Sequence, residues 1–177
     1  MLFPGAGLPG IAPGKELVQG ITGTLLGLHD QPAVFNRDAE LGAWLQVGDV
    51  VCLIGALGAG KTTLARGAVR AWTGEVNLEV PSPTFTLAQL YEGSRGVLWH
   101  MDLYRLRAAE EALEIGLEEA LAQGACLIEW PERLGALAPA DRTELALTAV
   151  ETASGAARAA RLVTLGAARR FGNGKGT

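Results

Sequence analysis

Apolar positions along the chain fall into three textures, and each predicts a different element. Val50-Val51-Cys52-Leu53-Ile54 is an unbroken apolar run, with the length and character of a strand covered on both faces. Behind it Leu64, Ala65, Ala68 and Val69 recur at helical spacing, predicting a helix that ends near Trp72 with Gly74 as the break. Ahead of it Ala39, Leu41, Ala43, Trp44 and Leu45 form the apolar side of a helix capped by Asn36, running to about Gln46 and closed by Gly48.

Farther on, Phe85 to Tyr91 and Val97 to Asp102 read as two strands joined by the turn Glu92-Gly93-Ser94-Arg95-Gly96, an antiparallel hairpin. Ala112, Leu113, Ile115, Leu117 and Leu121, set among glutamates, predict short acidic helices interrupted at Gly116. Ala125-Cys126-Leu127-Ile128 is another buried strand, and Thr143–Val150 with Arg158–Leu165 alternate as a second hairpin turning at Ser154-Gly155. The expected class is α/β: parallel strands at the centre of one sheet, antiparallel hairpins added beside them.

Composition narrows this picture to one domain. Half of the 177 residues are hydrophobic and about a fifth are charged, as in globular proteins. Residues 1–27 are dense in Gly and Pro without an apolar period and read as a disordered extension; 28–166 hold the domain, and 167–177 form a basic, glycine-rich flexible tail. A net charge of −4 and a pI near 5.2 supply no general attraction to nucleic acid or anionic membrane, so no DNA or membrane partner is expected and any RNA contact is local or indirect. Cys52 and Cys126 lie inside apolar runs as small core hydrophobes, which fits a reducing cytoplasm.

Between the first strand and its helix stands Gly55-Ala56-Leu57-Gly58-Ala59-Gly60-Lys61-Thr62, the pattern G-x-x-x-x-G-K-T. Glycines let the backbone curl so that successive N–H groups point inward, and the new helix adds its positive end. The expected nest runs over Gly58, Ala59, Gly60, Lys61, Thr62 and Thr63, with Lys61 between the β- and γ-phosphates and the Thr62 hydroxyl on Mg²⁺. A strand–motif–helix order makes the sheet P-loop NTPase-like. No N-K-x-D segment for guanine occurs, so ATP with Mg²⁺ is the expected pair.

A nest alone hydrolyses nothing; a metal partner and a group that places the attacking water are needed. Glu129 directly follows a buried strand and is the candidate for the metal side, against the reading of a solvated strand-end glutamate. Asp102 ends its own strand in the same fashion and is the candidate to orient or deprotonate water, the competing role being a helix N-cap. Thr84, in Ser82-Pro83-Thr84-Phe85-Thr86, is the candidate γ-phosphate sensor, against plain turn chemistry. His100 shares a strand face with Asp102 and reads as a packed, hydrogen-bonding residue; Arg105 and Arg133 are weaker candidates for phosphate charge, and Trp130 for core.

Taken in order, G-A-L-G-A-G-K-T-T-L-A-R-G, S-P-T-F-T-L, H-M-D-L-Y-R-L, E-A-L-E-I-G-L-E-E and L-I-E-W-P-E-R-L closely resemble the TsaE family of bacterial tRNA threonylcarbamoyladenosine biosynthesis, over about Asn36 to Leu165. The resemblance implies an ATPase, weak alone, that acts on the TsaB–TsaD heterodimer and meets tRNA through that complex. It also implies that Lys61 is the phosphate lysine, Thr62 and Glu129 the magnesium ligands, and Asp102 the acidic residue of H-x-D-L-Y-R, with Lys61 and Asp102 serving catalysis. The chain departs from the family at Ala56, commonly Asp, and at Asp38, where many members carry Thr. Two other readings of the motif stay open: a P-loop small-molecule kinase, and a nucleotide-gated binding module whose turnover is incidental.

Overall fold

The computed structural model describes residues 24–25, 37–152 and 155–168, with side chains from 38 to 148 and from 165 to 168. Among the described residues seven strands form one sheet: β1 (Thr24–Leu25), β2 (Val50–Ile54), β3 (Ala88–Gly93), β4 (Gly96–Asp102), β5 (Ala125–Glu129), β6 (Arg142–Thr152) and β7 (Gly155–Leu165), in the order β1-β7-β6-β2-β5-β4-β3. The central four, β6, β2, β5 and β4, run parallel to one another. The β3–β4 and β6–β7 hairpins supply the antiparallel edges, so the expected class is the observed one.

The apolar runs at the centre are buried because each face of the sheet has its own cover. Val51 and Leu53 of β2 pack into a core with Leu64, Ala68, Val69 and Trp72 of α2 (Lys61–Thr73), and with Leu41 of α1 (Arg37–Trp44). Val50 and Cys52 point the other way, into a second core with Met101, Ile128 and Leu117. That second face is covered by α3 (Glu111–Glu114), α4 (Leu117–Gln123) and a 3₁₀ segment, Pro131–Leu137, where the apolar pattern predicts no element. Alternate residues of one strand thus hold two layers, as the pleat requires.

Both hairpins differ from expectation at their boundaries: in the second, the strands run to Thr152 and from Gly155, the glycine expected in the turn. The first hairpin strand starts at Ala88 and not at Phe85. Leu87 adopts a left-handed φ of 63° and its N–H reaches the Pro83 carbonyl at 2.6 Å, so Pro83 to Leu87 close a turn that keeps Phe85 out of the sheet. The hairpin turn is also tighter: Gly93 pairs with Gly96, and Arg95 at its tip bonds the carbonyls of Gly42, Ala43 and Leu45 at 2.5–2.9 Å, satisfying the carboxyl end of α1. Thr24 and Leu25, inside the stretch expected to be disordered, pair with Ala159 and Arg158 of β7. The rest of that extension, the Asn36 cap, the Ser154 turn residue and the tail from Arg169 lie outside the described residues. Among the described residues no helix is long and apolar enough to cross a membrane.

Cys52 and Cys126 are both fully buried on adjacent strands, and burial pushes each thiol up to about 12. Neither is expected to react with dithionitrobenzoate in the folded chain near pH ~8, and both should react once it is denatured. Native-state labelling would show that this core is open. The sign of the linkage follows: an unfolded thiol ionises near 9.0 and the folded one near 12, so stability declines as pH rises through that interval.

Candidate functional site

The parallel register sets the site. Leu53 of β2 lies opposite Glu129 of β5, and Glu129 lies opposite Asp102 of β4, so three strands end together with both acids at the carboxyl edge. Ligand crevices of open α/β sheets form at this edge. From Ile54 the chain arches through Gly55–Gly60 into α2. Gly55 has φ 152°, and a Cβ there would stand 2.6 Å from the Leu147 carbonyl oxygen of β6, so only glycine lets the arch leave the strand. Gly60, at φ 96°, opens α2 with no side-chain cap, and the first helical bond runs from Leu64 N–H to the Gly60 carbonyl at 3.0 Å. The amides of Lys61, Thr62 and Thr63 therefore precede the helical ladder and point out of its positive end.

Lys61 folds back under this arch. Its Nζ donates to the Gly55 carbonyl at 2.7 Å and the Ala56 carbonyl at 3.0 Å, and it lies 3.7 Å from the centre of the Trp130 ring. Burial pulls its ammonium below the usual lysine value, while Glu129, Glu132 and Asp102 push in the opposite direction. Trp130 reaches that place because it turns sharply out of β5 with a left-handed φ of 59°. Its ring also meets Tyr104 at 4.8 Å. It is half-buried against the second core as well, so the expected core role and a place over Lys61 coexist.

Glu129 is 1% exposed, which removes the reading of a solvated strand-end glutamate. Its Oε2 accepts the Thr62 hydroxyl at 2.9 Å and its Oε1 meets His100 Nε2 at 2.9 Å. Asp102, 4% exposed, accepts the Thr84 hydroxyl at 2.7 Å on Oδ2 and the Tyr104 N–H at 3.1 Å on Oδ1. The second bond closes a local turn and not the helix N-cap considered for Asp102, since the next helix starts only at Glu111; the first ties it to the loop that holds Thr84. Since the Thr84 proton points to Asp102, the Ser82 hydroxyl, 2.7 Å from Thr84 Oγ1, donates to Thr84. This loop is anchored from below by Arg66 Nε, which bonds the Val80 carbonyl at 2.8 Å.

Thr62 is thus bonded to Glu129 and Thr84 to Asp102, two pairs whose acids lie opposite each other in the sheet, while Lys61 is held by the arch carbonyls. Among the weaker candidates, Arg105 lies over the exposed Phe85 ring at 4.4 Å and Arg133 is exposed on the 3₁₀ segment. Asp38 is half-buried between α1 and α2, where a Cβ on Gly67 would collide with its carboxylate, and burial raises its pKa. A cavity of about 810 Å³ borders the arch at Gly55–Ala59 and is walled by Pro131, Ala146, Leu147 and the Arg142–Glu144 ion pair. Lys61, Thr62, Asp102 and Glu129 do not line it, so it lies beside the acidic edge and not within it.

Among the described residues no cluster of three or more His, Cys, Asp or Glu side chains is placed to hold a metal alone. One hydroxyl and one carboxylate at 2.9 Å are instead the hard-oxygen set that Mg²⁺ takes when phosphates and water complete its shell. The donors present fit that ion.

The model of the family described as "Threonylcarbamoyl adenosine biosynthesis protein TsaE" matches residues 28–159. A tRNA threonylcarbamoyladenosine biosynthesis protein TsaE from Rickettsia bellii is 39% identical over 120 residues, which is 68% of this chain and 83% of that protein. The protein of the same name from Rickettsia conorii is 43% identical over 107 residues, 60% of this chain and 61% of its own length. Among solved structures, Bacillus subtilus YdiB superposes with a TM-score of 0.55 at 28% identity, over 73% of this chain and 76% of that one. With the matched segment spanning the arch, both acidic strand ends and the Thr84 loop, the chain belongs to the TsaE family of threonylcarbamoyladenosine biosynthesis proteins.

Proposed function

We propose that this chain is a cytoplasmic, Mg²⁺-dependent ATPase required for formation of N6-threonylcarbamoyladenosine in tRNA, and that it acts on the TsaB–TsaD heterodimer, meeting tRNA through that assembly. The observation that carries this reading is the Thr62–Glu129 hydrogen bond at 2.9 Å, which joins the first turn of the motif helix to the acid of a neighbouring parallel strand.

In this reading the amides of Gly58 to Thr63 bind the β-phosphate, and Lys61 turns from the Gly55 and Ala56 carbonyls toward the β- and γ-oxygens. Mg²⁺, when bound by Thr62 and Glu129, neutralises charge that builds on the phosphates. Asp102 takes the proton of the attacking water or orients it. Thr84, already on Asp102, shifts its hydroxyl to the γ-phosphate, so the loop from Pro81 to Leu87 reports which nucleotide is bound. The kinase alternative needs an acceptor pocket facing Asp102, whereas the 810 Å³ cavity is walled by Arg142 and Glu144.

Thr84→Val tests the sensor. Removing one hydrogen bond to a charged oxygen, ~2 kcal/mol, predicts about a 30-fold loss of affinity for ATP with ADP affinity nearly unchanged. Equal loss for both nucleotides, measured by calorimetry, would assign Thr84 to turn structure alone. The function itself is tested by reconstituting tRNA threonylcarbamoylation with TsaB and TsaD, with and without this chain, using ATP or a non-hydrolysable analogue. Repeated rounds of modification should need both the chain and hydrolysis. Full modification with the analogue would favour the binding module, and full modification without the chain would end the proposal.

A further inference from the structure

We infer that His100 is a positioning residue for Glu129, holding that carboxylate so that its other oxygen faces Thr62 and the metal; this rests on the ATPase reading above. His100 is completely buried on β4, and its Nε2 lies 2.9 Å from Glu129 Oε1. A carboxylate only accepts, so the proton of that bond sits on Nε2. The cost is visible on the far side of the ring, where buried Nδ1 has no hydrogen-bond partner among the described residues.

A histidine kept only for packing has no reason to leave a polar atom orphaned inside a core, where an apolar side chain would leave none. The one bond it does make divides the two oxygens of Glu129: Oε1 is fixed by His100, Oε2 is left to Thr62. Without the Nε2–H, the carboxylate is free to rotate and its Oε1 is stranded in the interior. Partners that orient a metal-binding carboxylate typically matter about 10- to 100-fold for metal affinity.

The test compares wild type, His100→Ala and His100→Gln, whose side-chain amide can present an N–H to Oε1. Affinity for ATP is measured with Mg²⁺ and with chelator, and Mn²⁺ binding is followed by electron paramagnetic resonance. His100→Ala should cut the gain in affinity that Mg²⁺ brings by about tenfold while chelator affinity stays nearly unchanged, and His100→Gln should recover most of it. Unchanged metal gain, an equal loss with chelator, or no recovery by glutamine would each overturn the assignment. If the alanine variant does not fold, the ¹⁵N spectrum of the wild-type ring decides: a proton on Nε2 supports it, a proton on Nδ1 alone overturns it. A wild-type chain with no metal gain at all would instead take down the ATPase reading, a failure distinct from that of His100.

Discussion

Lys61→Ala is expected to abolish ATP binding at micromolar to millimolar nucleotide and, with it, tRNA modification. Lys61 is 4% exposed, its ammonium held by two arch carbonyls and the face of Trp130, with Glu129, Glu132 and Asp102 near enough to favour its charge. Hydrogen bonds to charged groups contribute ~1.5–3 kcal/mol each, so removing the ammonium's bonds to two phosphates at once corresponds to roughly 10²–10⁴-fold in affinity. Stability should change much less. The alanine leaves the Gly55 and Ala56 carbonyls without their donor, yet it also removes a desolvated cation from the interior. Lys61→Arg should fail as well, because a planar fork cannot replace a compact ammonium beneath an arch this tight. Calorimetric titration with Mg²⁺-ATP checks both variants, with thermal unfolding as the control for folding. ATP affinity within about threefold of wild type in the alanine variant would mean that the triphosphate sits elsewhere.

The second large effect separates the two acids. Glu129→Gln should lower hydrolysis by roughly 10²–10³-fold and remove most of the affinity gained from Mg²⁺, while nucleotide binding in chelator persists. Asp102→Asn should depress hydrolysis by a similar factor yet leave Mg²⁺-ATP affinity near the wild-type value, since its carboxylate faces Thr84 and the Tyr104 amide and not Thr62. Single-turnover hydrolysis and binding, measured on the same preparations, distinguish them. If both variants lost metal-dependent binding equally, the division of labour between the two carboxylates would be wrong. If neither lost hydrolysis, the two carboxylates would not be the catalytic pair; if tRNA modification survived in a variant that binds nucleotide without hydrolysing it, the chain would be a binding module.

How much of this is legible in the sequence depends on whether the information is local. The arch, its strand and its helix are fully readable, because glycine positions and apolar spacing sit within about twenty residues and answer to backbone sterics. Glu129 and Asp102 stand out because each closes an apolar run. That they lie side by side depends on β4 and β5 pairing in parallel next to β2, a choice made by the whole sheet and by no local pattern. The left-handed Trp130 is a positive-φ position occupied by a bulky residue, so nothing in its identity announces a sharp turn. Phe85 misleads for the opposite reason. Its β-propensity is high, but two prolines and the Leu87–Pro83 turn keep it exposed beside Arg105. Alternation puts His100 on the right face of its strand; its partner lies across a neighbouring strand, where periodicity does not reach.

Crystals of the chain grown with Mg²⁺ and a non-hydrolysable ATP analogue test the central arrangement most directly. The β-phosphate should lie among the amides of Gly58 to Thr63 with Lys61 Nζ on its oxygens, and the cation should touch Thr62 Oγ1 and meet Glu129 directly or through one water. Triphosphate seated in the cavity beside Arg142, or a cation bound away from Glu129, would contradict the account.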